Sequence, residues 1–219
     1  MLPIEKKQIA YNRTKRNSAI KYIVIHDTGN KSKGADADRH FTYFNGGNRS
    51  SSADFFVDDT KILQVNDYRT YCTWHVGDGK GKYGITNANS VGIEICVNAD
   101  GDYCKAFSNA VELTKYLMAE LDIPAERVVR HYDASRKNCP ASMNEAKWAE
   151  FKKSITEEEI MECDFTDIKG HYAEKQIKDL FHMGIVNGVD ETHFAPDAPL
   201  TRGQAAIIVR NAIRYVTGK

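Results

Sequence analysis

A chain of 219 residues has room for one well-cored domain and a smaller second one, and an apolar content of 42% is that of an ordinary globular protein. Thirty basic residues balance thirty acidic ones, which excludes an overall field drawing the chain to nucleic acid or an anionic membrane, so a local site must choose the partner. No apolar run approaches membrane-spanning length, and the opening MLPIEKKQIAYNRTKRNS has neither an apolar core nor a small-residue cleavage signal; synthesis in the cytoplasm without a signal peptide, and no membrane insertion, are the expectations.

Taken in chain order, Lys21 to Ile25 is a β-branched run ending at His26 and a Gly29-Asn30 turn, which predicts a buried strand with His26 at its tip. Val91 to Val97 predicts a second strand. There Val91, Ile93 and Ile95 alternate with Gly92, Glu94 and Cys96, so Glu94 lies on the face opposite the β-branched side chains. Asp100-Gly101 reads as a turn, and Cys96 and Cys104 flank it almost symmetrically, which leaves a cross-strand pair open. From Phe107 to Leu121 the near four-residue spacing of Ala110, Leu113, Leu117 and Leu121 predicts an amphipathic helix, closed by Pro124. Val128 to Arg130 reads as a short strand ending at His131; a polar loop through Cys139-Pro140 and a helical stretch from Glu145 to Phe151 follow. Strands alternating with helices predict an α/β fold, a mixed sheet flanked by helices.

Around Ile155 to Asp164 the composition turns acidic and loses its pattern, which marks a connection. The expected organisation is a domain over residues 1–156, a linker over 157–163 and a small, mainly helical domain over 164–219. In the last, one helix carries Ala173, Ile177, Leu180 and Phe181, and another carries Ala205, Ile208, Val209, Ala212, Ile213 and Val216 behind a Thr201/Gln204 capping box. Gly184, Gly188, Pro196 and Pro199 build the loop between them, and no second copy of the unit is present.

Five cysteines at irregular spacing argue against a disulfide framework and leave a thiolate free for a metal or catalytic task. His26, His131 and Cys139 all fall at strand ends or just beyond one, where an open sheet gathers functional groups. Two imidazoles and a thiolate suit zinc, and three protein ligands leave the fourth tetrahedral position open, as in a catalytic site. On spacing alone the three read equally well as separate loop or buried residues, because no CxxC or HExxH joins them.

The segments VIHDTG (24–29), TWHVGDG (73–79), NSVGIEIC (89–96) and RHYDASRKNCPA (130–141) resemble, in order, the type 2 N-acetylmuramoyl-L-alanine amidase family, which includes bacteriophage endolysins and is related to animal peptidoglycan-recognition proteins. The resemblance covers roughly residues 20 to 150. It implies one Zn2+ per chain on His26, His131 and Cys139, Glu94 as the catalytic carboxylate and Lys137 as a basic group beside the metal. His75 and Trp74 would contact or wall the substrate groove. The implied activity is zinc-dependent hydrolysis of the amide between N-acetylmuramic acid and L-alanine in peptidoglycan, as a phage or prophage endolysin acting at the cell wall. Gly92 would leave the Glu94 face open for a ligand. Lys137 reads alternatively as a solvated loop charge, and Glu94 as an ordinary strand carboxylate. The stretch Ser51 to Phe56 lacks the tyrosine and strand histidine of some relatives, which shifts the weight onto Glu94. The competing reading is a non-catalytic peptidoglycan-recognition protein; the presence of Cys139 argues against it.

Residues from Asp164 onward resemble a single S-layer homology module, on Phe165-x-Asp167-Ile168, Gly170-His171-Tyr172-Ala173, Gly184-Ile185-Val186-x-Gly188 and Leu200-Thr201-Arg202. That resemblance implies binding of a secondary cell-wall polysaccharide of a Gram-positive host, with Asp167, Tyr172, Gly188 and Arg202 as the binding residues. Arg202 at a helix start suits an anionic sugar. Such modules usually occur as three in tandem, so a lone unit is expected either to dock on the first domain or, the favoured expectation, to associate as a homo-trimer.

Overall fold

The structure, a computed structural model, describes residues 1–157 and 163–217. The chain divides into two compact units, Met1–Glu157 and Glu158–Lys219. Most of the expected 157–163 linker, residues 158–162, lies outside the described residues. The elements of the first unit are β1 (Ile4–Lys6), β2 (Arg13–Lys15), β3 (Tyr22–Asp27), α1 (Ala37–Asn45), β4 (Phe55–Val57), β5 (Ile62–Gln64), β6 (Tyr71–Thr73), β7 (Ser90–Ile95), α2 (Tyr103–Leu121), β8 (Val128–Arg130), α3 (His131–Ser135) and α4 (Glu145–Thr156). The second holds α5 (Glu174–His182) and α6 (Arg202–Thr217).

A six-stranded sheet in the order β1-β5-β4-β7-β3-β8 forms the centre of the first unit, and β2 pairs with β6 in a separate two-stranded ribbon. The sheet is mixed: β4 and β5 are antiparallel, while β4, β7, β3 and β8 run parallel. Parallel strands covered on both faces favour continuous β-branched runs, and Ile23, Val24 and Ile25 are all fully buried. One face, through Ile23, Ile25, Phe55, Val91, Ile93 and Ile95, packs against Ala110, Leu113 and Leu117 of α2 and Phe151 and Ile155 of α4. Each buried leucine or phenylalanine there contributes about 1.5–3 kcal/mol. The opposite face carries two smaller clusters, one around Val24, Val76 and Ala134 and one around Phe56, Leu63 and Cys96.

Three sequence expectations change in detail. The long helix starts at Tyr103 rather than Phe107, because the Asp102 carboxylate accepts the amide hydrogens of Cys104 and Lys105. The Asp100-Gly101 turn therefore leads into a helix and not into a return strand. Cys96 is buried under the sheet while Cys104 is exposed on α2, and both are free thiols rather than a cross-strand pair. His131 is the first residue of a short helix, not the tip of a strand. The three-residue strands β1, β2, β4, β5 and β6 and the short α1 were not anticipated, since such segments are too brief to display a hydrophobic period.

In the second unit the Thr201/Gln204 capping box is formed: Gln204 Oε1 accepts the Thr201 amide hydrogen at 2.9 Å and Thr201 Oγ1 accepts that of Gln204 at 3.2 Å. Phe165, Ile168 and Ile177 make its small core. On α6, Ile207, Val209, Ile213 and Val216 are exposed. Among the described residues no helix is long and apolar enough to cross a membrane.

Asp54 joins the main sheet to the ribbon. Its fully buried carboxylate accepts from Gly92 N at 2.8 Å, Thr73 Oγ1 at 3.0 Å and Asn66 Nδ2 at 2.8 Å. Burial outweighs these bonds and holds the carboxyl above its ordinary value. Asp54→Ala leaves these buried donors without their acceptor and is expected to destabilise the protein by about 3 kcal/mol. Denaturant unfolding followed by circular dichroism checks this; an unchanged midpoint would show that the donors find other partners.

Candidate functional site

Parallel pairing of β3 with β7 places Val24 opposite Gly92 and His26 opposite Glu94. Because side chains alternate along a strand, His26 and Glu94 lie on the face turned away from the α2 core, while Ile23, Ile25, Val91 and Ile93 anchor the other. His26 Nδ1 is 3.9 Å from Glu94 Oε1. The short β8 beside β3 delivers His131 at the start of α3, and the following loop brings Cys139 Sγ to 3.7 Å from His26 Nδ1. One ligand atom from each of His26, His131 and Cys139 lies within 4.8 Å of the others, and all three residues are buried.

These groups fit a cation. His131 Nδ1 is buried with no hydrogen-bond partner, an arrangement that costs about 1–3 kcal/mol unless something else takes the lone pair. Burial, then the neighbouring imidazoles of His75 and His131, then the Lys137 ammonium press His26 well below the ordinary histidine value, so the ring is a neutral donor. Burial likewise lowers His131, against the opposing pull of Asp78. Cys139 is pushed up to about 12, by burial first and then by Glu94, so without a cation it is an inert thiol. Neutral imidazoles and a thiolate made stable only by the ion are a zinc donor set.

Glu94 Oε2 is also buried without a partner. Burial and, next, the Asp27 carboxylate push its carboxyl up to about 8, opposed by Lys137. Lys137 itself is exposed on the loop before Cys139, close enough to act electrostatically on Glu94 and both histidines. A cavity of about 310 Å³ opens beside Glu94, lined by Thr28, Asn30, Arg39, His40, Tyr43, Phe44 and Phe56.

His75 and Trp74 are not in that lining. His75 is buried behind His26, with His75 Nδ1 3.1 Å from His26 Nε2 and its other nitrogen 3.1 Å from Ser90 Oγ. A Cβ at position 92 would stand 2.7 Å from His75 Nδ1, so the space opened by Gly92 is filled by the His75 ring and not by a ligand. Trp74 is half-buried, its amide bonded to Ser52 Oγ at 3.0 Å. Sequence reasoning missed Asp78, whose Oδ1 is 2.7 Å from His131 Nε2. The signal was present in TWHVGDG, where an acid follows His75 by three residues.

In the second unit Asp167 and Gly188 have structural tasks. Asp167 accepts the amide hydrogens of Phe194 and Ala195 at 3.0 and 2.7 Å, closing the loop before α6. A side chain on Gly188 would stand 2.4 Å from Phe165 Cε1 and 2.5 Å from the Asp190 carbonyl oxygen. Tyr172, 90% exposed, and Arg202 are open to solvent.

Comparison with known proteins agrees with this geometry. Residues 16–142 match the model of the N-acetylmuramoyl-L-alanine amidase family, and residues 164–206 match the S-layer homology domain. The chain is 43% identical over 148 residues to the N-acetylmuramoyl-L-alanine amidase CwlH of Bacillus subtilis, covering 66% of this chain and 56% of that one. It is 44% identical over 137 residues to XlyA of the same organism, covering 61% and 43%. It thus spans about half the length of the curated relatives it matches. Among solved structures, the catalytic domain of XlyA superposes with a TM-score of 0.64 at 41% identity, over 70% of this chain and 99% of that one. PlyL gives 0.63 at 30% identity, over 71% and 98%. Matched over more than half its length and sharing the fold of these catalytic domains, the chain belongs to the N-acetylmuramoyl-L-alanine amidase family and carries an S-layer homology domain behind its amidase unit.

Proposed function

We propose that this protein is a zinc-dependent peptidoglycan hydrolase that cuts the amide between N-acetylmuramic acid and L-alanine, in the manner of an endolysin. The observation that carries the reading is the convergence of His26, His131 and Cys139 within 4.8 Å, with Glu94 3.9 Å from His26. A bound zinc ion supplies a polarised carbonyl and an activated water at neutral pH.

The remaining chemistry belongs to the chain. Glu94, with Oε1 3.9 Å from His26 Nδ1 and its other oxygen buried and unbonded, is placed to take a proton from the attacking water and return it to the departing amine. Lys137 adds positive charge at the rim, where an oxyanion would develop. The cavity beside Glu94 supplies a binding groove next to the scissile bond.

One equivalent of zinc is expected by elemental analysis, chelation is expected to abolish lysis of Gram-positive walls, and Cys139→Ser should lose zinc. Active enzyme without stoichiometric zinc would refute the metal assignment. Glu94→Gln is expected to keep fold and zinc while lowering turnover by about 10²-fold or more. Activity within a few-fold of the parent would transfer the proton role to another group, and an inactive parent that still sediments with walls would favour a recognition protein.

For the second unit, the reading is wall targeting through a secondary cell-wall polysaccharide by Asp167, Tyr172, Gly188 and Arg202, of which Asp167, Tyr172 and Arg202 are exposed. So small a unit buries little apolar surface, and the exposed Ile207, Val209, Ile213 and Val216 on α6 support association of three chains through this helix. Light scattering on the full chain at micromolar concentration is expected to give a trimer; a monomer would refute it.

A further inference from the structure

The segment Thr73 to Gly79 has an assignment beyond substrate contact. His26 Nε2 lies 3.1 Å from His75 Nδ1, and His75 Nε2 lies 3.1 Å from Ser90 Oγ. The single Ser90 hydroxyl proton is already given to the Thr86 carbonyl at 2.6 Å. Ser90 Oγ must therefore accept from His75 Nε2–H, which leaves His75 Nδ1 as an acceptor for His26 Nε2–H. The bare lone pair of His26 is then on Nδ1, the atom beside Cys139 Sγ and Glu94. A second chain of bonds does the same for the other imidazole. Asp78 Oδ1 accepts His131 Nε2–H at 2.7 Å, Ser135 Oγ donates to Asp78 Oδ2 at 3.2 Å, and the lone pair of His131 is left on its orphaned Nδ1.

Both supporting residues come from one stretch, and the stretch is itself fixed. Asn87 Oδ1 accepts the amide hydrogens of His75 and Val76 at 3.0 and 2.8 Å, and Asp54 holds Thr73. Two close approaches require glycine. Gly92 admits the His75 ring, and a Cβ on Gly79 would stand 2.2 Å from the Ala134 carbonyl oxygen, so the segment lies directly on α3, which carries His131.

We propose that Thr73 to Gly79 is the outer support of the metal ligands, with His75 and Asp78 as positioning residues that each hold the distal nitrogen of one histidine and present its Nδ1 to the ion. This rests on the metal reading above. Groups in this position orient the ring and raise its donor strength, and their loss typically weakens metal binding by 10–100-fold.

The test is zinc affinity by competition with a chromogenic chelator, beside thermal unfolding of the metal-free proteins. Asp78→Ala and His75→Ala are expected to weaken zinc about 10- to 100-fold relative to the parent, with Asp78→Asn, which keeps an acceptor, losing less. In the metal-free parent, ring nitrogen shifts in NMR spectra should report Nε2–H at both histidines, and Asp78→Ala should disturb His131 alone. Should His75→Ala not fold, Asp78→Ala decides, because that side chain is half exposed. Zinc affinities of folded variants within twofold of the parent would overturn the proposal while leaving the metal site intact. A parent with no zinc affinity would instead overturn the metal reading on which it rests.

Discussion

The in-register parallel pairing of β3 with β7 is the constraint on which the site depends. It sets His26 opposite Glu94 and Val24 opposite Gly92 on one face, while Ile23, Ile25, Val91 and Ile93 enter the α2 core on the other. A slip of one residue would turn each of these side chains to the wrong face, exchanging buried isoleucines for a histidine and a carboxyl. Hydrophobic burial on the core face thus holds the register that the chemistry on the opposite face needs. Folding energy and function are written into alternate residues of the same two strands.

On the functional face the fold accepts an unfavourable local environment. Two buried histidines, a buried thiol and a partly buried carboxyl are gathered together, and among the described residues His131 Nδ1 and Glu94 Oε2 have no hydrogen-bond partners. Such groups persist only where the surroundings over-determine them. The surroundings here are the carboxylate of Asp54, the amide of Asn87 and the two tight glycine contacts at positions 79 and 92, which tie β4, β6, β7 and α3 into one frame. The same burial that makes the thiol and the carboxyl reluctant to ionise makes them responsive to a nearby cation.

The second unit is organised on different terms. Its core is small, its loops are closed by Asp167 and by the glycine at 188, and α6 leaves large aliphatic side chains in solvent. Asp167 and Gly188 bond or pack within the loop, whereas Tyr172 and Arg202 have open side chains. Only geometry separates Asp167 and Gly188 from Tyr172 and Arg202, because all four belong to the same sequence signature.

Much of both units is legible in the residues. Continuous β-branched runs mark β3 and β7, spacing near four marks α2, and Thr201 with Gln204 marks the start of α6, since each is a local pattern with a local cause. Residue chemistry likewise singles out His26, Glu94, His131 and Cys139. The three-residue strands β4, β5 and β6 stay invisible because they are held by neighbours and not by their own periodicity. For the same reason the motif placed His75 only beside the substrate groove and left Asp78 without a task. Which nitrogen of an imidazole is free, and which side chain fills the space above a glycine, depend on atoms from β3, β7, α3 and the 73–79 segment meeting at about 3 Å. Residue types and their order determined what chemistry the chain holds; the three-dimensional packing decided which atoms face the cluster of His26, His131 and Cys139 and which stand behind it, because hydrogen-bond direction exists only once distant segments are in contact.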